Sequence, residues 1–461
     1  MDEEIELLGG GMVCPGLFGA HEHYLHGLFG ALNQVASLAQ CATLEAVRLV
    51  LVDQLAHQAT GTVMAVQWNS ANVPVAALTR DFLDTVGGGR TILVWDQSFH
   101  ACVVSSSMLR QLETRGFPPR IKGSNSNGYL TEEYAMFAMA WLEYERDHFR
   151  RLLVSQQEIF FSHGFTRIAD KDVLGHGLLG ALVEAYDDGT LVLPCEGSIQ
   201  SWMIEDGVRP LSTDNGLFNI NGIKDYADGA FGARTAACAP HHYHGTEDTG
   251  LLMRTPEQLQ RLITLAHRHG FGRVGVHCIG PEAIRLLAGV YTKALDEMGG
   301  DASGVILGFE HFEAPDLATV QAVAKMQRAG VPVEVVTNPT FNSDIGVYGD
   351  RLDETVLRMI NPYRTFGAEG LIVQAGTDGI PTQNPWTSMG WAVDRPAQFG
   401  EENVPVEDAF GMYADGTLEV GKPATFIITD RDFIRRSDEV GQVQVRETWI
   451  GGDRVWRRGH K

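Results

Sequence analysis

No apolar run in the 461 residues reaches the ~18 residues that a membrane helix needs. A helical span is therefore not expected, and the opening residues do not read as a signal peptide. Positive charge is scarce, with 36 Lys and Arg against 58 Asp and Glu and a net charge of -22. That balance argues against nucleic acid or an anionic membrane as a partner. Cysteine is scarce too. Cys14, Cys41, Cys102, Cys195, Cys238 and Cys278 form no CxxC pair. This rules against a disulfide framework and a cysteine-built zinc site, and it suits a reducing compartment, the cytoplasm. The chain has no internal repeat and no low-complexity tract.

What is present is a globular composition, 44% hydrophobic and 20% charged. It suits one large domain with a smaller one, or two to three ordinary domains. The 52 glycines fit a fold with many strand-to-helix turns.

One stretch organises the rest: Gly11 onward, GMVCPGLFGAHEHYLHG. A short apolar run beginning near Met12 ends in His21-Glu22-His23. Along a strand, side chains at i and i+2 share a face, so His21 and His23 project together from its end. Two imidazoles side by side suit a divalent metal; two polar residues closing a strand is the plainer alternative.

After this strand, Thr43 to Gly61 reads as a helix with Thr43 as its N-cap and Leu44, Val47, Leu51 and Leu55 as its apolar stripe. Short strands follow at Thr62–Gln67 and Thr91–Gln97, with helices at Thr79–Val86 and Ser105–Arg115. A long helix is expected from about Thr131 to His163. Apolar β-rich runs then recur at Phe165–Ala169, Thr190–Pro194, Leu217–Lys224, Arg273–His277, Val305–Glu310, Val331–Val336 and Leu371–Ala375, mostly with helical patterns between them. The clearest helix start is Thr255-Pro256-Glu257-Gln258, a capping box with Pro at the first helical position. With the HEH strand these runs make eight. Eight β-then-α units predict an α/β fold, a (β/α)8 TIM-like barrel at 12–400, with a large insertion after strand 1 at about 28–163. From 411 to 461 the pattern is β-rich, with Gly451-Gly452-Asp453 as a hairpin turn. It predicts a small β domain, partly truncated, of which 1–11 is a remnant.

Barrel chemistry sits at the C-terminal ends of the strands. His21 and His23 end strand 1, Lys224 strand 4, His277 strand 5, His311 strand 6 and Asp378 strand 8. Lys224 at the end of an apolar strand is costly unless paired or chemically changed. It is either an ordinary lysine bonded to a carboxylate or a carbamate formed with CO2. Asp378 ligates a metal, acts as a base, or does both. His241-His242-Tyr243-His244 reads as a solvated loop. Trp68, Trp202 and Trp386 either wall a substrate or pack a core.

The pattern resembles the amidohydrolase superfamily, and within it the amidohydrolase 3 branch that contains N-substituted formamide deformylase. PGLFGAHEH resembles the strand-1 metal motif. TRDFLDTV and DQSFHACVVSSSML resemble the insertion, with His100 at the pocket histidine. GYLTEE places Glu132 at the branch's acid. IKDYADGAFGARTAAC resembles the strand-4 block, with Lys224, Asp228, Gly229, Arg234 and Thr235 in place. VHCIGPEA, FEHFE, GTDGIP, PWTSMGWAVDRP and GTLEVGKPATFIITD complete the set. Four departures stand out. Only Met1 to Gly11 precede the strand-1 motif. Pro405–Phe410 is too short for the helix that usually stands before GTLEVGK. Glu22 replaces an apolar residue and is expected to face the helices. Thr425 replaces an aspartate.

The resemblance implies one or two divalent ions, zinc foremost, held by His21, His23, Lys224, His277, His311 and Asp378, with a CO2-derived carbamate on Lys224. It implies hydrolysis of a non-peptide amide C–N bond by metal-activated water, Asp378 moving the proton. His100, Glu132, Arg234 and Trp68 are the expected substrate-binding residues, and the substrate is expected to be small and largely apolar. Two alternatives stay open: a deaminase of the same superfamily, and a non-catalytic relative that binds or regulates. Homodimerisation is expected through the small β domain, where missing strands would leave an edge or an apolar face open.

Overall fold

The computed structural model describes residues 10–24, 35–97, 100–115, 127–131, 133–140, 146–173, 175–297, 304–343, 345–346, 349–379 and 383–459. It divides into two compact units. One comprises Met1–Tyr24, Val154–Val173 and Leu182–Lys461, the other Leu25–Leu153 and Leu174–Ala181.

In the first unit, β1 (Val13–Pro15) leads at once into β2 (Leu17–Glu22), every residue of which is buried. The second unit holds its own five-stranded sheet of β3 (Val35–Ser37), β4 (Val63–Trp68), β5 (Ile92–Asp96), β6 (Ala101–Val104) and β7 (Tyr129–Thr131), in that order. Helix Leu44–His57 starts on Thr43, whose hydroxyl accepts from the Ala46 N–H. Val47 and Leu51 of that helix pack with Val63, Ile92 and Val103 in the core of this unit. Of the long helix expected over 131–163, the described residues form Glu133–Ala140 and Arg146–His163.

The first unit continues with seven further parallel strands: β8 (Phe165–Asp170), β9 (Cys195–Gln200), β11 (Phe218–Tyr226), β12 (Arg273–Cys278), β13 (Ile306–His311), β14 (Val333–Thr337) and β15 (Gln374–Ala375), while β10 (Leu211–Ser212) pairs antiparallel with β11. Their order is β2-β8-β9-β11-β12-β13-β14-β15, each paired parallel to the next. The helices between them include Pro256–His269, whose capping box forms as the sequence predicts: Thr255 Oγ accepts from the Gln258 N–H and Gln258 Oε1 from the Thr255 N–H. Strands of this sheet are buried along their length, as in a parallel barrel covered by helices. The third barrel strand is a correction. It runs over Cys195–Gln200, not Thr190–Pro194.

The barrel shuts between its first and last strands. The Asp378 N–H donates to the His21 carbonyl at 3.0 Å. Gly376 lies so close to the His21 backbone that a Cβ there would overlap it, so glycine is required at this seam. The result is a nearly closed eight-stranded parallel barrel of the TIM type.

The small sheet is antiparallel, in the order β1-β16-β17-β18, with β16 (Phe426–Thr429), β17 (Val445–Ile450) and β18 (Asp453–Arg457). Among the described residues its apolar side is covered rather than open. Ile427, Ile428 and Val445 are buried, and Thr448 Oγ1 donates to the Phe161 carbonyl. The outer strand β18 carries Asp453, Arg454 and Arg457, charges that discourage edge pairing. The segment judged too short for a helix forms one, Val406–Gly411, of six residues. No helix among the described residues is long and apolar enough to cross a membrane.

His163 closes the helix Arg146–His163 beside this sheet. Burial, with the Arg458 charge adding to it, pulls its imidazole down to about 4. A histidine whose folded pKa is depressed costs stability as it is forced to protonate. We expect stability to fall as pH drops from about 6.5 to about 4, by about 2 kcal/mol after allowance for partial exposure. Urea midpoints across that window should show the slope, and His163→Gln should flatten it. An unchanged slope in the variant would assign the loss to other groups.

Candidate active site

The C-terminal mouth of the barrel gathers the residues that the sequence marks out. His21 and His23 leave β2 with ring centroids 5.3 Å apart. The His311 ring, at the end of β13, lies 4.4 Å from His21 and 4.5 Å from His277 at the end of β12. Asp378, just beyond β15, brings Oδ1 to 3.0 Å from His23 Nε2 and 3.2 Å from His21 Nε2. His21, His23 and Asp378 offer ligand atoms all within 4.8 Å of one another. Two of these residues sit on left-handed backbone, His311 at φ 71° and Asp378 at φ 62°, a conformation uncommon for non-glycine residues and frequent at functional sites.

Hydrogen bonds set the imidazole tautomers. His277 Nε2 donates to the Gly229 carbonyl at 3.0 Å, so Nδ1 carries the lone pair. His311 Nδ1 lies 2.9 Å from Asn338 Oδ1, and Asn338 Nδ2 donates to the Gly376 carbonyl at 3.0 Å. The amide is thereby oriented as an acceptor, and His311 presents Nε2. Burial, with His21 adding to it, holds the His311 imidazole well below its usual value, and burial also lowers His23. Neutral imidazoles are the form that binds metal.

The residues fit a divalent ion. His21 Nε2 and Asp378 Oδ1 are buried, stand 3.2 Å apart, and among the described residues neither has a hydrogen-bond partner. Two lone-pair atoms facing each other without a proton between them match a cation held in common.

Lys224 ends its apolar strand with 1% exposure. Its ammonium rests 4.3 Å from the centre of the Tyr226 ring, and among the described residues it makes no ion pair. Neither neighbouring acid holds it. Asp225 pairs with Arg254 at 2.9 Å. Asp228 accepts from the N–H groups of Ala237, Ile279 and Gly280.

The remaining predicted residues divide. Arg234 is exposed on the loop after β11, at φ 58°. His100 is partly buried at the start of β6 in the second unit. Glu132 lies outside the described residues. Trp68 is corrected to a packing residue: it is 1% exposed in the core of the second unit, its indole N–H on the Val73 carbonyl at 2.8 Å. Trp386 is likewise buried, donating to the His163 carbonyl at 3.0 Å. In the histidine-rich loop, His242 and His244 are exposed and Tyr243 anchors the turn through Ala236 at 3.0 Å.

Sequence reasoning missed several partners of the site. Glu22 is satisfied, not stranded: Thr377 donates to it through both its N–H, at 2.8 Å, and its hydroxyl, at 2.5 Å. Burial still pushes the Glu22 carboxyl up to about 8. Asn338 and Glu310 orient histidines and were not singled out, although Glu310 stands in the FEHFE motif beside His311. Phe341 stacks on His311 with centroids 5.7 Å apart, giving the site a partly exposed aromatic side.

Comparison with known proteins adds the following. A model of the amidohydrolase family matches residues 5–456. A Bacillus subtilis (strain 168) protein, YtcJ, which bears an amidohydrolase name, is 22% identical over 500 residues, spanning 99% of this chain and 91% of that protein. The N-substituted formamide deformylase of Arthrobacter pascens is 22% identical over 505 residues, spanning 98% of this chain and 89% of that enzyme. The crystal structure of a metal-dependent hydrolase from Pyrococcus furiosus shares the fold, with a TM-score of 0.69 at 21% identity over 92% of this chain and 88% of that one.

Proposed function

This chain belongs to the amidohydrolase family, and from that premise we propose that it hydrolyses a non-peptide amide C–N bond in a small, largely apolar substrate. The observation that carries the reading is the convergence of four histidines and Asp378, with tautomers set by Gly229 and Asn338, at one barrel mouth. His21, His23, His277, His311 and Asp378 would hold one or two divalent ions, zinc foremost, with Lys224 joining them as a carbamate. Such an ion lowers the pKa of water to near 7 and polarises a carbonyl.

The chain's own groups do the rest. Asp378 is a carboxylate with Oδ1 beside His21 and His23. It takes the proton of the attacking water and returns it to the departing amine nitrogen. The seam bond from its N–H to the His21 carbonyl fixes its position against the histidines. Phe341, stacked on His311, supplies an apolar side for an N-substituent. Arg234 on the loop after β11 would orient the substrate. The name of the Arthrobacter relative, an N-substituted formamide deformylase, supports formamides as the first compounds to try. Arg234 is the single arginine assigned to the site, which disfavours phosphoesters.

The test offers metal-loaded protein N-substituted formamides, acyl amides, cyclic amides, aminopurines and phosphotriesters in parallel. Amine release from the amides is expected. Ammonia from an aminopurine with no amide turned over would make the chain a deaminase. Metal binding without any turnover would favour a binding role.

A further inference from the structure

We propose that Glu310 is a positioning residue for the metal site, one that dictates which nitrogen of His21 faces the ligand cluster. The inference rests on the metal-dependent reading above, but its observations are independent of substrate.

Glu310 is fully buried, with His21 against one oxygen and two cations beside the other. Oε2 lies 2.6 Å from His21 Nδ1. Oε1 lies 2.5 Å from Arg273 Nη2 and 3.6 Å from Lys171 Nζ. Arg273 in turn pairs with Glu334 at 2.9 Å, so the charges form a line from the start of β12 toward the mouth. A carboxylate held by two cations stays an acceptor. The proton between Glu310 and His21 therefore belongs to His21 Nδ1, and the lone pair belongs to Nε2. Nε2 is the atom that approaches Asp378 Oδ1 to 3.2 Å. A carboxylate behind a ligating imidazole fixes its tautomer and ring angle and raises its basicity.

The barrel makes room for this arrangement. A Cβ at Gly275 would collide with Arg273 and Glu310, and one at Gly308 with Arg273. Both strands thus carry glycine where the Arg273 side chain passes. Successive residues of a regular strand face opposite ways. Glu310 and His311 nevertheless both meet His21, because His311 adopts φ 71° and turns back toward it.

The test uses the full chain. Metal-stripped wild type and Glu310→Gln are titrated with Zn2+ against a chelator of known affinity, and each metal-free protein is melted in parallel. We expect Glu310→Gln to bind Zn2+ about 10–100-fold more weakly. Affinity within twofold of wild type would overturn the proposal. Glu310→Gln removes one anion from beside Arg273 and Lys171, Arg273 keeping Glu334, so Glu310→Gln with Arg273→Gln is made as well to restore charge balance. If the single variant does not fold, the double variant gives the answer by the same criterion. The His21 tautomer is read directly from imidazole nitrogen shifts in metal-free, 15N-histidine-labelled wild type, which requires neither variant nor metal. Protonation at Nδ1 is expected; protonation at Nε2 would overturn the proposal. Wild type that binds no Zn2+ but shows the Nδ1–H tautomer would remove the metal-dependent reading while leaving the orienting role of Glu310 standing.

Discussion

Asp378→Asn should reduce kcat by about 10³-fold or more while metal content changes little. The carboxylate stands where attack and proton transfer meet, 3.0 Å from His23 and 3.2 Å from His21. As a carboxylate it is ready to accept a proton. Asparagine preserves the shape and one carbonyl oxygen but accepts no proton. The four histidines remain to hold the ion. Elemental analysis of both proteins, alongside kcat on whichever amide is turned over, separates the two roles. If the variant loses metal in proportion to activity, Asp378 acts mainly as a ligand. If it keeps both metal and activity, the proton passes through another group.

Lys224→Ala should lose metal and turnover together, by at least about a hundredfold, the upper end of what removing a partner of a ligating group costs. The reasoning starts from its surroundings. A lysine with 1% exposure and, among the described residues, no ion pair and the face of Tyr226 against its ammonium is poorly compensated as a bare cation. Attack of the neutral amine on CO2 forms an N–C bond and releases a proton. The product is an anion with two oxygens, suited to a mouth lined with histidines. Adding a short carboxylate to the alanine variant should restore part of the activity, because it returns the missing oxygens without the side chain. Intact-protein mass under native conditions should show the CO2 adduct in the wild type. An unmodified lysine in fully active enzyme, with one ion bound, would favour a mononuclear site with Lys224 as a plain cation.

The eight-strand rhythm was readable because most barrel strands are apolar on both faces, and the site because its residues end those strands. Cys195–Gln200 escaped notice for a physical reason. Of its buried residues only Cys195 and Ile199 are apolar, the others being Gly197, Ser198 and Gln200, while Glu196 points outward to Arg167 at 2.9 Å. The apolar run just before it drew attention instead. The tautomer-setting groups were hidden for a different reason. Glu310 is adjacent in sequence to a ligand candidate, and strict alternation places adjacent residues on opposite faces. Only the left-handed backbone at His311 brings both to His21. Glu22 looked like an unpaired acid because its partner, Thr377, is 355 positions away. Trp68 shows the limit of composition: an aromatic in an insertion reads equally as a pocket wall and as a core, and it is core.

The seam has a consequence for the protein as it is made. β2 leaves the ribosome well ahead of its partner across the seam, which follows only after the 355 residues that separate Glu22 from Thr377. At about 5–20 residues per second, the nascent chain waits roughly 20–70 s before the two edges can meet. β15 then offers only Gln374 and Ala375 to complete the sheet. Until that moment β2, buried along its whole length in the finished barrel, presents an unsatisfied strand edge to everything around it. Protection during synthesis therefore matters more for this chain than its final stability suggests, and producing it slowly, with chaperones in excess, addresses the step at which it is most exposed.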